Sequence, residues 1–155
     1  MNEPFMRAAI RLSGAKMRRG GGGPFGAVIV QAEKIIGRGW NRVTVTNDPT
    51  AHAEIMAIRA ACRRLKTFSL AGCEVYTSCE PCPMCLAAIY WARLDKVYFA
   101  NTRQDAARAG FDDDWIYREV SRPISDRKIP LQQLLQPEAL KIFADWSLLP
   151  GKITY

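Results

Sequence analysis

The sequence predicts an α/β protein, a three-layer α/β/α sandwich built on a five-stranded mixed sheet. A short β-branched run, Ala27-Val28-Ile29-Val30, is followed after a few turn residues by a second apolar stretch at 34–40. That arrangement is a hairpin and hence an antiparallel pair. Helical and extended segments then alternate, and parallel strand pairs need crossover helices of this kind. The length of 155 residues is that of one domain, so 1–155 reads as a single unit.

Each element has its own reason. Phe5, Ala8, Ala9, Leu12 and Ala15 recur at helical spacing, giving an amphipathic helix over 4–17. Gly20-Gly21-Gly22-Gly23-Pro24 fits neither a helix nor a central strand and is a loop. The hairpin strands at 27–30 and 34–40 follow, then a polar loop at 41–51 with Asn47-Asp48-Pro49 as its turn signal. Asp48 or Thr50 caps a helix over 51–66, where Ile55, Ile58, Ala61, Cys62 and Leu65 form one stripe. Residues 74–78 read as a strand. Pro81-Cys82-Pro83 opens a helix to residue 91, because proline is tolerated in a first turn. Residues 96–100 read as a strand, 106–117 as short helices and 129–135 as the fifth strand. Pro137-Glu138 starts a last helix to residue 146, and 149–155 carries no clear pattern.

Composition narrows the function classes. Apolar residues make up 48% and charged residues 24%, which excludes a disordered or collagen-like chain. The longest apolar run, 86–92, falls well short of the roughly 20 residues that a membrane-spanning helix needs. Lys and Arg number 22 against 15 Asp and Glu, a net charge of +7. Such a balance serves either a polyanionic partner or solubility alone, and here the basic residues are scattered. The first 17 residues carry Glu3, Arg7, Arg11 and Lys16 and read without a signal peptide. Five cysteines, three of them between positions 79 and 85, do not form a secreted disulfide framework. The expected compartment is the reducing cytoplasm, where such cysteines more often bind metal.

The chemistry concentrates in His52-Ala53-Glu54 and Pro81-Cys82-Pro83-Met84-Cys85. Cys82 and Cys85 are three apart and share a helix face. They also lie in a first turn, where unpaired backbone N–H groups favour thiolates. With His52, the only histidine, they make three ligands that suit zinc. Three protein ligands leave the fourth tetrahedral position for water, whose pKa zinc lowers toward about 7. Glu54, two residues from the histidine, is placed to carry the water proton without ligating. The rival arrangement is a closed structural site that adds Cys79. It would leave Glu54 without a task, and Glu80-Pro81 sets Cys79 across a strand-to-helix turn.

H-x-E followed by P-C-x-x-C is the signature of zinc deaminases that act on nucleobases. The chain resembles the cytidine deaminase-like superfamily, and within it the bacterial guanine deaminase branch. The stretches that carry the resemblance run over 22–30, 47–54, 76–85, 88–93 and 109–113. The zinc motifs specify the superfamily. Ser78-Cys79-Glu80-Pro81-Cys82-Pro83-Met84-Cys85, Gly110-Phe111-Asp112-Asp113 and the terminal Tyr155 narrow it to the branch.

The resemblance implies one zinc per subunit on His52, Cys82 and Cys85, with Glu54 as the proton shuttle. It implies that Phe25 stacks on the base, that Asn41 hydrogen-bonds it and that the Ala53 N–H lies near the reacting centre. Trp91, Asp113 and Tyr155 would complete the pocket. It further implies a homodimer in which the C-terminal segment of one subunit closes the site of the other. Each role has a plainer rival. Phe25 could plug the core, Asn41 could serve a turn, Trp91 could pack its helix and Tyr155 could fray as a terminus. In the acidic run Asp112-Asp113-Asp114, sequence leaves open which carboxylate faces the substrate.

The expected activity is hydrolytic deamination of a free purine base, guanine to xanthine and ammonia. The alternatives keep the chemistry and change the substrate to tRNA adenosine, guanosine, cytosine or an aminotriazine. The +7 charge favours RNA, whereas Phe111-Asp112-Asp113-Asp114 would repel a phosphate backbone. A catalytically silent zinc-binding module is the reading from another class, and the presence of Glu54 opposes it.

Overall fold

The computed structural model describes residues 2–111 and 113–155. The chain divides into two compact units, Met1–Tyr117 and Arg118–Tyr155.

The first unit carries the sheet. Helix α1 (Glu3–Arg18) leads to β1 (Gly26–Gln31) and β2 (Lys34–Trp40), and the one-turn helix α2 (Val43–Thr46) lies in the expected polar loop. Helix α3 (Ala53–Leu65), β3 (Cys73–Cys79), α4 (Pro83–Trp91) and β4 (Lys96–Asn101) follow, then α5 (Arg103–Arg108) and α6 (Asp114–Val120). The strand order is β2-β1-β3-β4. β1 pairs antiparallel with β2 and β3, and β3 pairs parallel with β4, so the sheet is mixed.

Strand alternation assigns the two faces. Ala27, Ile29 and Val75 pack with Ala53, Ala57 and Ala61 of α3 and Ile89 of α4. Val28, Val30 and Tyr76 pack on the other face with Phe5, Met6 and Ala8 of α1. The alanine stripe lets α3 lie close to β2, where glycines meet it. A Cβ on Gly39 would collide with the carbonyl oxygen of Ala53 and the nitrogen of Ala57. This approach fixes the first turn of α3, the turn that carries Glu54.

In the second unit a 3₁₀ turn (Ile124–Asp126) precedes α7 (Gln136–Leu148). The expected fifth strand at 129–135 is not formed, and the sheet has four strands. Pro130 removes a ladder donor, and Ile129, Leu131, Leu134 and Leu135 are all exposed. A strand is stable only against a neighbour, and among the described residues this segment has no hydrogen-bonded neighbouring strand.

Candidate active site

His52 and Cys82 occupy the N-cap positions of α3 and α4. Their carbonyls accept the first helical hydrogen bonds, from Met56 N at 3.0 Å and Leu86 N at 2.8 Å. Both side chains thereby leave from fixed helix starts at one end of the sheet. Cys85 lies in the first turn of α4 and is fully buried. His52 Nδ1 stands 3.6 Å from Cys82 Sγ and 3.5 Å from Cys85 Sγ. The ligand atoms of all three residues lie within 4.8 Å of one another.

These spacings fit one tetrahedral ion. Zn–S near 2.3 Å and Zn–N near 2.1 Å give an S···N edge of about 3.6 Å. Cys79 takes no part. Its Sγ donates to the Thr102 carbonyl at 3.6 Å, and burial pushes its thiol up to about 11. The arrangement is a three-ligand site, not a closed one.

Protons are shared tightly here. A hydrogen bond from Cys85, reinforced by His52, holds Cys82 down at about 4. The same bond, with burial, pushes Cys85 far up. The Cys82 sulfur raises His52 above its ordinary value.

Glu54 is 5% exposed. Its Oε1 accepts a hydrogen bond from Thr77 Oγ1 at 2.7 Å, and its Oε2 lies 3.4 Å from Cys85 Sγ. Burial, the largest influence, raises its pKa, so the carboxyl holds a proton more readily than one in water.

A cavity of about 420 Å³ opens over this group. Phe25, Asn41, His52, Ala53, Glu54, Cys82 and Asp113 line it, together with Gly23, Val43, Thr44, Gly110 and Phe111. Asn41 Oδ1 accepts from Gly23 N at 3.2 Å and Val43 N at 3.3 Å, which orients its amide and leaves Nδ2 as the donor. A Cβ on Gly22, whose φ is +122°, would overlap the Asn41 carbonyl, so only glycine lets this loop close on Asn41. Phe25 and Phe111 meet edge to face at 4.9 Å. The segment bearing Asp113 is tied back by Tyr117, whose Oη donates to the Pro81 carbonyl at 2.6 Å.

Not every expected residue joins this cavity. Trp91 ends α4, is largely exposed and is not among the lining residues. Tyr155 belongs to the second unit and is also exposed. Asp112 lies outside the described residues. Thr77, which lies outside the H-x-E and P-C-x-x-C motifs, contacts Glu54 from the sheet. Its signal was a polar residue at an inward position of β3, between Val75 and Cys79.

The profile of the cytidine and deoxycytidylate deaminase zinc-binding region matches residues 1–101. The chain belongs to this deaminase family. It is 50% identical over 154 residues to a guanine deaminase of Bacillus subtilis (strain 168), covering 99% of both chains. The X-ray structure of guanine deaminase from Bacillus subtilis superposes with a TM-score of 0.96 at 51% identity, covering 100% of this chain and 99% of that one. A tRNA-specific adenosine deaminase of Aquifex aeolicus (strain VF5) is 45% identical over 98 residues, 63% of this chain and 64% of that protein. Zinc is the metal of the matching region, and the converging imidazole and two thiols suit it. This family member is therefore a zinc-dependent hydrolase.

Proposed function

We propose that the chain deaminates guanine hydrolytically to xanthine and ammonia. The observation that carries this reading is the full-length match to a guanine deaminase at 50% identity, against matches to tRNA-specific adenosine deaminases that are less identical and shorter, 45% over 98 residues and 43% over 124. The acidic Asp113 at the cavity supports it, since a carboxylate suits the N–H edge of guanine and repels phosphate.

His52, Cys82 and Cys85 hold the zinc. Bound by three protein ligands, zinc lowers the pKa of a coordinated water toward about 7 and so supplies a nucleophile at neutral pH. Phe25 stacks on the base, Asn41 Nδ2 donates to a ring acceptor, and Asp113 accepts from ring or amino N–H groups. Ala53 lines the cavity, and its N–H, in the first turn of α3, has no partner within the helix, which supports a place for it near the reacting centre. The water oxygen adds to C2 while Glu54 takes one water proton and delivers it to N3. The second water proton then passes through Glu54 to the amino nitrogen. The C2–N bond breaks and ammonia leaves, so both water protons are accounted for.

The two units act together as one deaminase domain over 1–155, and the enzyme is a homodimer. The support is exposure. Ile129, Leu134, Ile142, Phe143 and Leu148 of the second unit are all at least 65% exposed. An apolar surface of that kind calls for a cover. The segment 118–155 of one subunit closes the partner's site, and Trp91 and Tyr155 complete the pocket in that assembly. The compartment is the cytoplasm. All five cysteines are free, and no helix among the described residues is long and apolar enough to cross a membrane.

The test is ammonia release from guanine, guanosine, cytosine, adenine, an aminotriazine and a tRNA anticodon stem-loop. Guanine is expected to be turned over well above the rest. Turnover of the stem-loop instead would overturn the reading. Glu54→Gln is expected to abolish turnover with zinc still bound, and normal turnover by that variant would remove Glu54 from the mechanism.

A further inference from the structure

We propose that Thr77 is the positioning residue of the proton shuttle, dividing the two oxygens of Glu54 into an anchored one and a working one. The proposal rests on the assignment of Glu54 as the shuttle.

Glu54 leaves the first turn of α3 on a side chain with free rotors, into a space with almost no solvent. A carboxylate that must meet water, ring nitrogen and leaving amine in sequence needs one fixed orientation. Thr77 supplies it. It is fully buried on β3, and its Oγ1 donates to Oε1 at 2.7 Å.

The strand sets the hydroxyl's place. Thr77 pairs with Ala27 of β1 on one side and Phe99 of β4 on the other, so its backbone is held from both edges. A hydroxyl has one proton to donate, and Oε1 receives it. Oε2 faces the ligand group instead, 3.4 Å from Cys85 Sγ. Once Cys85 is a metal-bound thiolate it has no proton to give, and Oε2 is the oxygen left to exchange protons with water and base. Threonine suits the post further because its branched side chain has few rotamers.

The test compares Thr77→Val, Thr77→Ser and Thr77→Ala as zinc-loaded proteins, on whichever base the wild type turns over. Thr77→Val keeps shape and loses the hydroxyl. It is expected to lower kcat by about 10- to 100-fold with KM nearly unchanged and zinc still bound one to one. Thr77→Ser is expected to keep most of kcat. Should the valine protein fail to fold, serine and alanine carry the comparison, since they differ by the hydroxyl alone. A second readout needs no substrate. Thr77→Val is expected to lower the Tm of the wild type and to leave a Glu54→Ala background unchanged or raised, since that background no longer offers an acceptor.

Equal kcat in Thr77→Val and wild type would overturn the proposal. So would equal losses in Thr77→Ser and Thr77→Ala, loss of zinc, or additive Tm changes. If the wild type deaminates a base other than guanine, the substrate assignment fails, while the kcat ratio and the Tm cycle still decide Thr77.

Discussion

Cys82 lines the cavity and is held near a pKa of about 4, whereas Cys85 beside it is fully buried and pushed upward. The sign of the resulting pH dependence follows directly. A depressed pKa leaves the thiolate populated at all pH values well above it, and the thiolate is the nucleophile. In metal-stripped protein, alkylation of Cys82 by iodoacetamide is expected to be nearly flat from pH 6 to 9, a span over which the thiolate fraction of a free thiol of pKa about 8.5 rises by about 240-fold. Zinc is expected to block it, and Cys79 is expected to stay unmodified throughout. Peptide mass spectrometry reads each site separately, and a rate at Cys82 that climbs with pH would contradict the shared proton. At this scale the candidate ligands were legible because the one histidine and the C-x-x-C pair both stand at expected helix starts, although Cys82 proves to be the N-cap of α4 and not a residue on its face. The part of Thr77 was not, since a threonine in a strand is ordinary until the helix opposite is known to bring a carboxylate to it.

The placement of Glu54 depends on two elements lying unusually close. β2 meets α3 at Gly37 and Gly39, and any side chain at Gly39 must displace the turn that begins with Ala53. Gly39→Ala is therefore expected to cost about 1–3 kcal/mol by overpacking and to lower kcat more than a surface substitution of equal destabilisation. Denaturant unfolding and steady-state rates on the same samples separate the two effects. Unchanged stability would mean that β2 shifts freely and does not fix the helix. The hairpin and α3 were readable from periodicity, and α4 from the proline of its first turn, because these signals are local. The expected cap of α3 by Asp48 or Thr50 is not formed: His52 is its N-cap, and Asp48 Oδ1 accepts from Thr50 N at 2.8 Å and Thr50 Oγ1 at 2.6 Å, closing a local turn ahead of the helix. The strand expected at 129–135 shows the limit of that method. An apolar run reports that a segment wants a neighbour, and it does not say whether the neighbour belongs to the same chain. Pro130 and the exposure of Leu131, Leu134 and Leu135 leave that segment without regular structure in the single chain.

Apolar exposure in the whole molecule is uneven. Across the described part of Met1–Tyr117 the sheet faces are covered by α1, α3 and α4, whereas no residue of Arg118–Tyr155 is buried. At roughly 25 cal/mol per Å² of apolar surface, a segment with this many exposed leucine, isoleucine and phenylalanine side chains gains strongly from association. If the partner subunit provides the cover, size and activity must be linked. Light scattering is expected to give a dimer at micromolar concentration. Specific activity is expected to fall on dilution below the dimer's dissociation constant, because a site closed by the partner opens as the dimer separates. Removing residues 152–155 is expected to reduce turnover sharply while Tm changes little, since the deletion takes Tyr155 and spares α7. A clean monomer with full activity on guanine would show that the site is complete within one chain, and Tyr155 would then lose its place in the pocket.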